Sequence, residues 1–92
     1  MSFRLSRRAA DDLQEIVDFT RERWGVEKAI DYVSNLYACF QLLDATAGKA
    51  YRPPYRRARQ GKHVVLFRVD AKSNVLVVRI LHERMLPEKH LR

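Results

Sequence analysis

The strongest constraint on the fold lies near the C-terminus, where "HVVLFRVD" (63–70) and "VLVVRILH" (75–82) flank the tetrapeptide "AKSN". Two β-branched runs joined by four polar or small residues predict a β-hairpin. Side chains alternate across a strand, so Val65, Phe67 and Val69 form one set and Val64, Leu66, Arg68 and Asp70 the other. The second run divides into Leu76, Val78 and Ile80 against Val75, Val77, Arg79 and Leu81. Only one parity joins the two wholly apolar sets, and a slip of one residue would bring an arginine among them. Opposing Asp70 to Val75, Arg68 to Val77 and Leu66 to Arg79 satisfies it. Phe67, Val78 and Ile80 then face a core. Arg68 and Arg79 are expected to emerge together on the other face, over Val64, Leu66, Val77 and Leu81. That face is too apolar to be left to water and carries two cations, so it is expected to bind a partner bearing apolar groups and carboxylates or phosphates.

The first half supplies the layer that covers the hairpin. "FRLS" (3–6) alternates as a short strand would, and Ser6 is placed to cap a helix. Ala9, Leu13, Ile16, Val17, Thr20 and Trp24 follow at helical spacing, and Gly25 provides a stop. A second helix is expected from about Val26 to Ala45, with a stripe of Ala29 or Ile30, Val33, Leu36 or Tyr37, Phe40 and Leu43. The short joint makes an antiparallel helical hairpin. Pro53 and Pro54 interrupt the next stretch, after which "YRRAR" can run as a sheet-edge strand. The expected fold is α+β, with an N-terminal strand and an antiparallel helical hairpin packed on a C-terminal antiparallel β-sheet. At 92 residues there is room for one domain, residues 1–92, and no second core.

Charge is unevenly divided. Residues 1–46 hold six Lys/Arg and eight Asp/Glu, whereas residues 47–92 hold twelve and three. Between Ala45 and Val69 there is no acid, yet Lys49, Arg52, Arg56, Arg57, Arg59, Lys62 and Arg68 all fall there. Such polarity points to an anionic partner, either nucleic acid or an acidic protein segment. No apolar run approaches a membrane span, and the start lacks a signal-peptide core, so a cytoplasmic protein is expected. Cys39 is single and lies with Leu36 and Leu43 on the apolar side of a helix, which reads as a packed thiol.

His63, His82 and His90 with Cys39 match no metal-ligand spacing, and three scattered glycines make no phosphate loop. No metal or cofactor is therefore expected. Metal-free RNA cleavage would need a base, an acid and cations, roles for which His82, Glu83, Arg84 and Arg79 are the candidates. The plainer reading makes His82 the end of the core-facing set of the last strand.

Three stretches, "FRLSRRAADDLQEIVDFTRERWG", "GKHVVLFRVD" and "VLVVRILHERMLPEKHL", resemble the ParE branch of the RelE/ParE toxin superfamily. The strand ending "RILHERM" followed by a terminal "HL" is the most specific part. The resemblance implies the toxin of a type II toxin–antitoxin system, a non-enzymatic inhibitor of DNA gyrase and replication. It implies neutralisation by a ParD-like antitoxin whose flexible C-terminal segment carries acids and apolar anchors. Direct nucleic-acid binding is not expected. Residues expected to meet antitoxin or target are Arg56, Arg57, Arg59, Leu66, Arg68, Val77, Arg79, Leu81, Arg84 and Met85, with the tail to Arg92 as a further contact. The alternatives are a RelE-like ribosome-dependent mRNA interferase, and an inactive toxin that still binds antitoxin. RelE-like relatives often carry a tyrosine or histidine near the C-terminus, whereas the last tyrosine here is Tyr55.

Overall fold

The computed structural model describes residues 3–85. Its elements are β1 (Phe3–Leu5), α1 (Arg7–Trp24), α2 (Val26–Gln41), β2 (Lys49–Ala50), β3 (Arg56–Gln60), β4 (His63–Val69), β5 (Val75–His82) and a 3₁₀ turn at Glu83–Met85. The strands form one sheet in the order β1-β5-β4-β3-β2. β1 runs parallel to β5, and the other pairs are antiparallel. The α+β fold is as expected, with the sheet mixed because the N-terminal strand joins it beside the last one.

Two junction residues set the helical layer. Ser6 closes β1 by donating its N–H to the Val77 carbonyl, and its Oγ accepts the Ala9 N–H at 3.0 Å to open α1. Gly25, at φ +92°, donates to the Arg21 carbonyl to end α1 while its own carbonyl accepts the Ala29 N–H to begin α2. A single residue thus folds the hairpin. Ala9, Leu13 and Ile16 from α1 meet Leu36 and Phe40 from α2, and Leu43 just beyond its end, over Val65, Phe67, Val75, Val77 and Ile80. On α2 the inward residues are Ala29 and Leu36, leaving Ile30 and Tyr37 exposed. Trp24, expected on the α1 stripe, is 67% exposed instead.

The hairpin register differs from the parity argument. Val69 opposes Val75 and Phe67 opposes Val77, while Leu66 opposes Arg79 as expected. Between those pairs the register shifts, and Val78 has no partner on β4. The turn is the cause. Asp70 lies in the turn: its N–H bonds the Asn74 carbonyl, and its carboxylate accepts the N–H groups of Lys72 and Asn74. Five residues, 70–74, therefore separate the strands, and a β-bulge at Val78 takes up the offset. The bulge reverses side-chain parity within β5, so Val75 and Val77 face the helices along with Ile80. Period-two alternation alone cannot foresee that change.

Several expected placements are thereby corrected. Val77 belongs to the main core. Arg79 turns to α1 and pairs with Asp12, so it does not share an open face with Arg68. Leu66 and Leu81 do lie on the outer side, but both are fully buried beneath Tyr51 with Val64 beside them. Arg68 alone of the two arginines stays on that side and exposed.

Candidate functional site

On the helical side, a groove of about 510 Å³ opens between α1, the start of α2 and the ends of β4 and β5. Its apolar wall is Ile16, Phe19, Trp24, Ile80 and Met85. Phe19 and Trp24 are the large side chains it presents to solvent, at 57% and 67% exposed. Both sit in the last turns of α1. Exposed aromatics clustered in a concavity are the usual anchors of a protein partner. Lys28 and Lys62 stand in the lining beside them, with Asp12 and Glu15 on the α1 side.

The floor of the groove is polar and tightly tied. The Tyr32 hydroxyl lies between His63 Nδ1 and the Gln60 carbonyl, and its oxygen accepts the Lys62 N–H at 3.2 Å. One phenol from α2 therefore fastens the β3–β4 turn. Gly61 in that turn has φ +59°, and a Cβ there would stand 2.9 Å from the Tyr32 hydroxyl. The His63 and His82 rings meet edge to face at 5.3 Å. Burial, reinforced by the neighbouring His82, pushes His63 down to about 4, so its imidazole is neutral near pH 7. Burial also raises Tyr32 above the ordinary phenol value, which keeps it protonated.

Asp12 closes the groove against β5. Its two oxygens accept Arg79 Nε at 2.8 Å and Arg79 Nη2 at 3.1 Å, and Oδ2 also takes the Ile80 N–H at 2.9 Å. The Asp12 carboxylate holds the Arg79 guanidinium more firmly charged than usual. Beside it Ser6 donates its hydroxyl to the Val78 carbonyl at 2.7 Å, so the bulge has its backbone groups satisfied from α1.

The residues considered for RNA cleavage do not converge. Arg79 is engaged by Asp12, and His82 Nδ1 accepts the Arg84 N–H at 3.1 Å. Arg79 and His82 line the groove, and Arg84 is not among its lining residues. His90 and the segment after Met85 lie outside the described residues. Among the described residues no group of three His, Cys, Asp or Glu side chains could hold a metal ion. The Cys39 thiol is half-buried against the main core, and burial raises it.

Of the other expected contact residues, Arg57 and Arg59 lie on the opposite side of the sheet, whereas Arg56 stands opposite Phe67 on the helical side. Arg56 is turned to the backbone, its Nε donating to the Ala47 carbonyl at 2.8 Å and Nη2 to the Gly48 carbonyl. Arg57 stacks over the Tyr51 ring at 5.5 Å. Arg59 makes an ion pair with Glu83. Met85, by contrast, belongs to the groove, together with Phe19, Tyr32 and His63, which were not expected at a binding site, and Trp24, which helical spacing had assigned to the core.

Residues 3–87 match the family model described as "ParE toxin of type II toxin-antitoxin system, parDE". The chain belongs to the ParE toxin family. Toxin ParE1 of Caulobacter vibrioides is 39% identical over 94 residues, covering 97% of this chain and 96% of that protein. Toxin ParE1 of Mycobacterium tuberculosis is 37% identical over 92 residues, covering 95% and 94%. A solved structure of the "Chromosomal ParDE TA system from P. aeruginosa" superposes with a TM-score of 0.75 at 27% identity, covering 89% of this ParE chain and 95% of that one. The protein is thus a ParE-type toxin of a type II toxin–antitoxin system.

Proposed function

We propose that this ParE toxin acts by docking on DNA gyrase in the cytoplasm, stalling the cleaved complex and blocking replication without catalysing a reaction itself. We further propose that a ParD-like antitoxin neutralises it, seating an apolar and acidic C-terminal segment in the groove.

The observation that carries the antitoxin reading is the groove. Phe19 and Trp24 offer apolar anchoring surface, and Lys28 and Lys62 stand where acidic side chains of a bound segment would be neutralised. A segment that folds on binding needs such a preformed apolar seat to offset its ordering entropy. The similar P. aeruginosa structure is of a ParDE system, which supports a ParD-type partner for this chain as well. The gyrase step rests on family resemblance. The Arg79 guanidinium is tied to Asp12 and so does not stand free to stabilise a phosphorane, which favours docking over RNA cleavage.

The experiment is a gyrase supercoiling assay with purified toxin. Supercoiling should fall and linear cleaved DNA accumulate as toxin is added, and equimolar antitoxin should restore activity. Undiminished supercoiling over a wide dose range, by a toxin that still binds its antitoxin, would contradict the gyrase reading and favour an inactive toxin.

A further inference from the structure

The sheet face turned away from the helices changes character once its register is known. Its apolar ground is sealed, with Leu66 and Leu81 buried beneath Tyr51. Charge is what remains accessible. Strand alternation and pairing put Arg4 of β1, Arg68 of β4, Arg57 and Arg59 of β3 and Lys49 of β2 on this side. At roughly 4.8 Å between neighbouring strands, the five strands carry these cations across about 19 Å. Among the described residues, two carboxylates stand near. Glu83 pairs with Arg59, whose side chain is 65% exposed, so the pair is weak and leaves Arg59 open to a competing phosphate. Asp70 is engaged by the N–H groups of its own turn, with Arg4 close enough to help hold it below the usual carboxylate range. A second concavity of about 390 Å³, lined by Gly48, Lys49, Arg57, Ala58, Arg59, Val64 and Glu83, lies at the β2–β3 end.

We propose that this outer face is a phosphate-backbone surface for duplex DNA, contacted through Arg4, Lys49, Arg59 and Arg68. The proposal draws on the gyrase reading only for where the toxin would meet DNA. Three observations favour phosphates over an acidic protein segment. A protein segment gains affinity by burying apolar anchors, and the sites for them on this face are already filled by Tyr51, Leu66 and Leu81. The apolar groove that could take such anchors opens on the helical side. The cations are spread in two dimensions over four strands, which suits phosphates on both sides of a groove about 6 or 12 Å wide better than one extended peptide. Three of the four are arginines, whose planar forks match phosphate oxygens. Leu66 and Leu81 are buried on this side, Val77 belongs to the main core and Arg79 is paired with Asp12, so the mixed apolar and cationic surface expected here is replaced by a cationic one.

The test is fluorescence anisotropy of a labelled 20-base-pair duplex with the full-length toxin, without antitoxin or gyrase, between 50 and 200 mM salt. Four phosphate contacts predict an affinity loss of about 100-fold across that range. The double variant Arg4→Glu/Arg68→Glu should bind at least about tenfold more weakly at 50 mM and flatten the log–log salt slope by about two. Arg21→Glu/Arg23→Glu, the same charge change on the helical hairpin, should leave the slope nearly unaltered. Far-UV circular dichroism checks that the variants fold, and Arg4→Gln/Arg68→Gln reads the same slope if charge reversal disturbs folding. Absent binding at 50 mM, or equal losses from the two pairs, would overturn the proposal. So would a polyglutamate peptide of equal charge binding as tightly as the duplex, which would reassign the face to acidic protein. With gyrase left out, failure here leaves the docking reading intact, and failure of gyrase inhibition leaves this result intact.

Discussion

Asp12 on the second turn of α1 holds Arg79 of β5 through two hydrogen bonds while accepting the Ile80 N–H with the same carboxylate. Their side chains are 11% and 17% exposed, so the pair is largely withdrawn from water. β1 pairs with β5 as far as Val77, and beyond it Asp12 supplies the acceptor that a neighbouring strand would have given. The pair therefore fixes the α1–sheet angle and one side of the groove.

Asp12→Ala should cost about 2–4 kcal/mol of stability, because it strands a largely buried guanidinium and leaves the Ile80 N–H without an acceptor. Arg79→Met should cost less, since the carboxylate keeps the Ile80 bond. Urea unfolding of both variants checks the order, and a larger loss for Arg79→Met would contradict it. Arg79→Glu, which sets two carboxylates together, should be at least as damaging as Asp12→Ala.

Acid should weaken the fold through His63. Above pH 6.5 the ring is neutral in folded and unfolded chains alike, and this group imposes no penalty. Between 6.5 and about 4 the unfolded chain gains a proton that the folded one refuses. Stability should fall by roughly 2–3 kcal/mol across that window. His63→Gln removes the titration and should give a flatter stability–pH curve below pH 6.5. Parallel curves for the two proteins would argue against the buried, neutral ring.

Trp24 is the single tryptophan, exposed in the groove wall, so its emission reports directly on occupancy. Adding the antitoxin should shift that emission to shorter wavelength as water leaves the indole. Phe19→Ala should weaken the complex by about 2 kcal/mol or more if the ring is an anchor. Unchanged emission in a complex that forms would move the antitoxin's seat elsewhere.

Much of the fold could be read from periodicity. Ser6 and Gly25 marked the helix ends, and the α1 stripe through Ala9, Leu13 and Ile16 is the buried one. The hairpin register was legible only as far as Leu66 and Arg79. The bulge at Val78 depends on a turn held by the Asp70 carboxylate and on acceptors and donors from Ser6 and Asp12, which are distant in sequence. Arg79 looked unpaired for that reason, its partner lying 67 residues away. The groove was hidden because Phe19 falls off the helical stripe and Trp24 sits on it. Neither position reveals that both side chains stay exposed along the groove.

The central claim, a toxin that works by docking and not by cutting RNA, is tested most directly in growing cells expressing the His82→Ala/Arg84→Ala variant beside the unmodified protein. Both should arrest growth, with chromosomal DNA breaks accumulating and transcripts left intact. Defined transcript breaks with the unmodified toxin, lost together with growth arrest in a variant that still folds and binds antitoxin, would contradict the account.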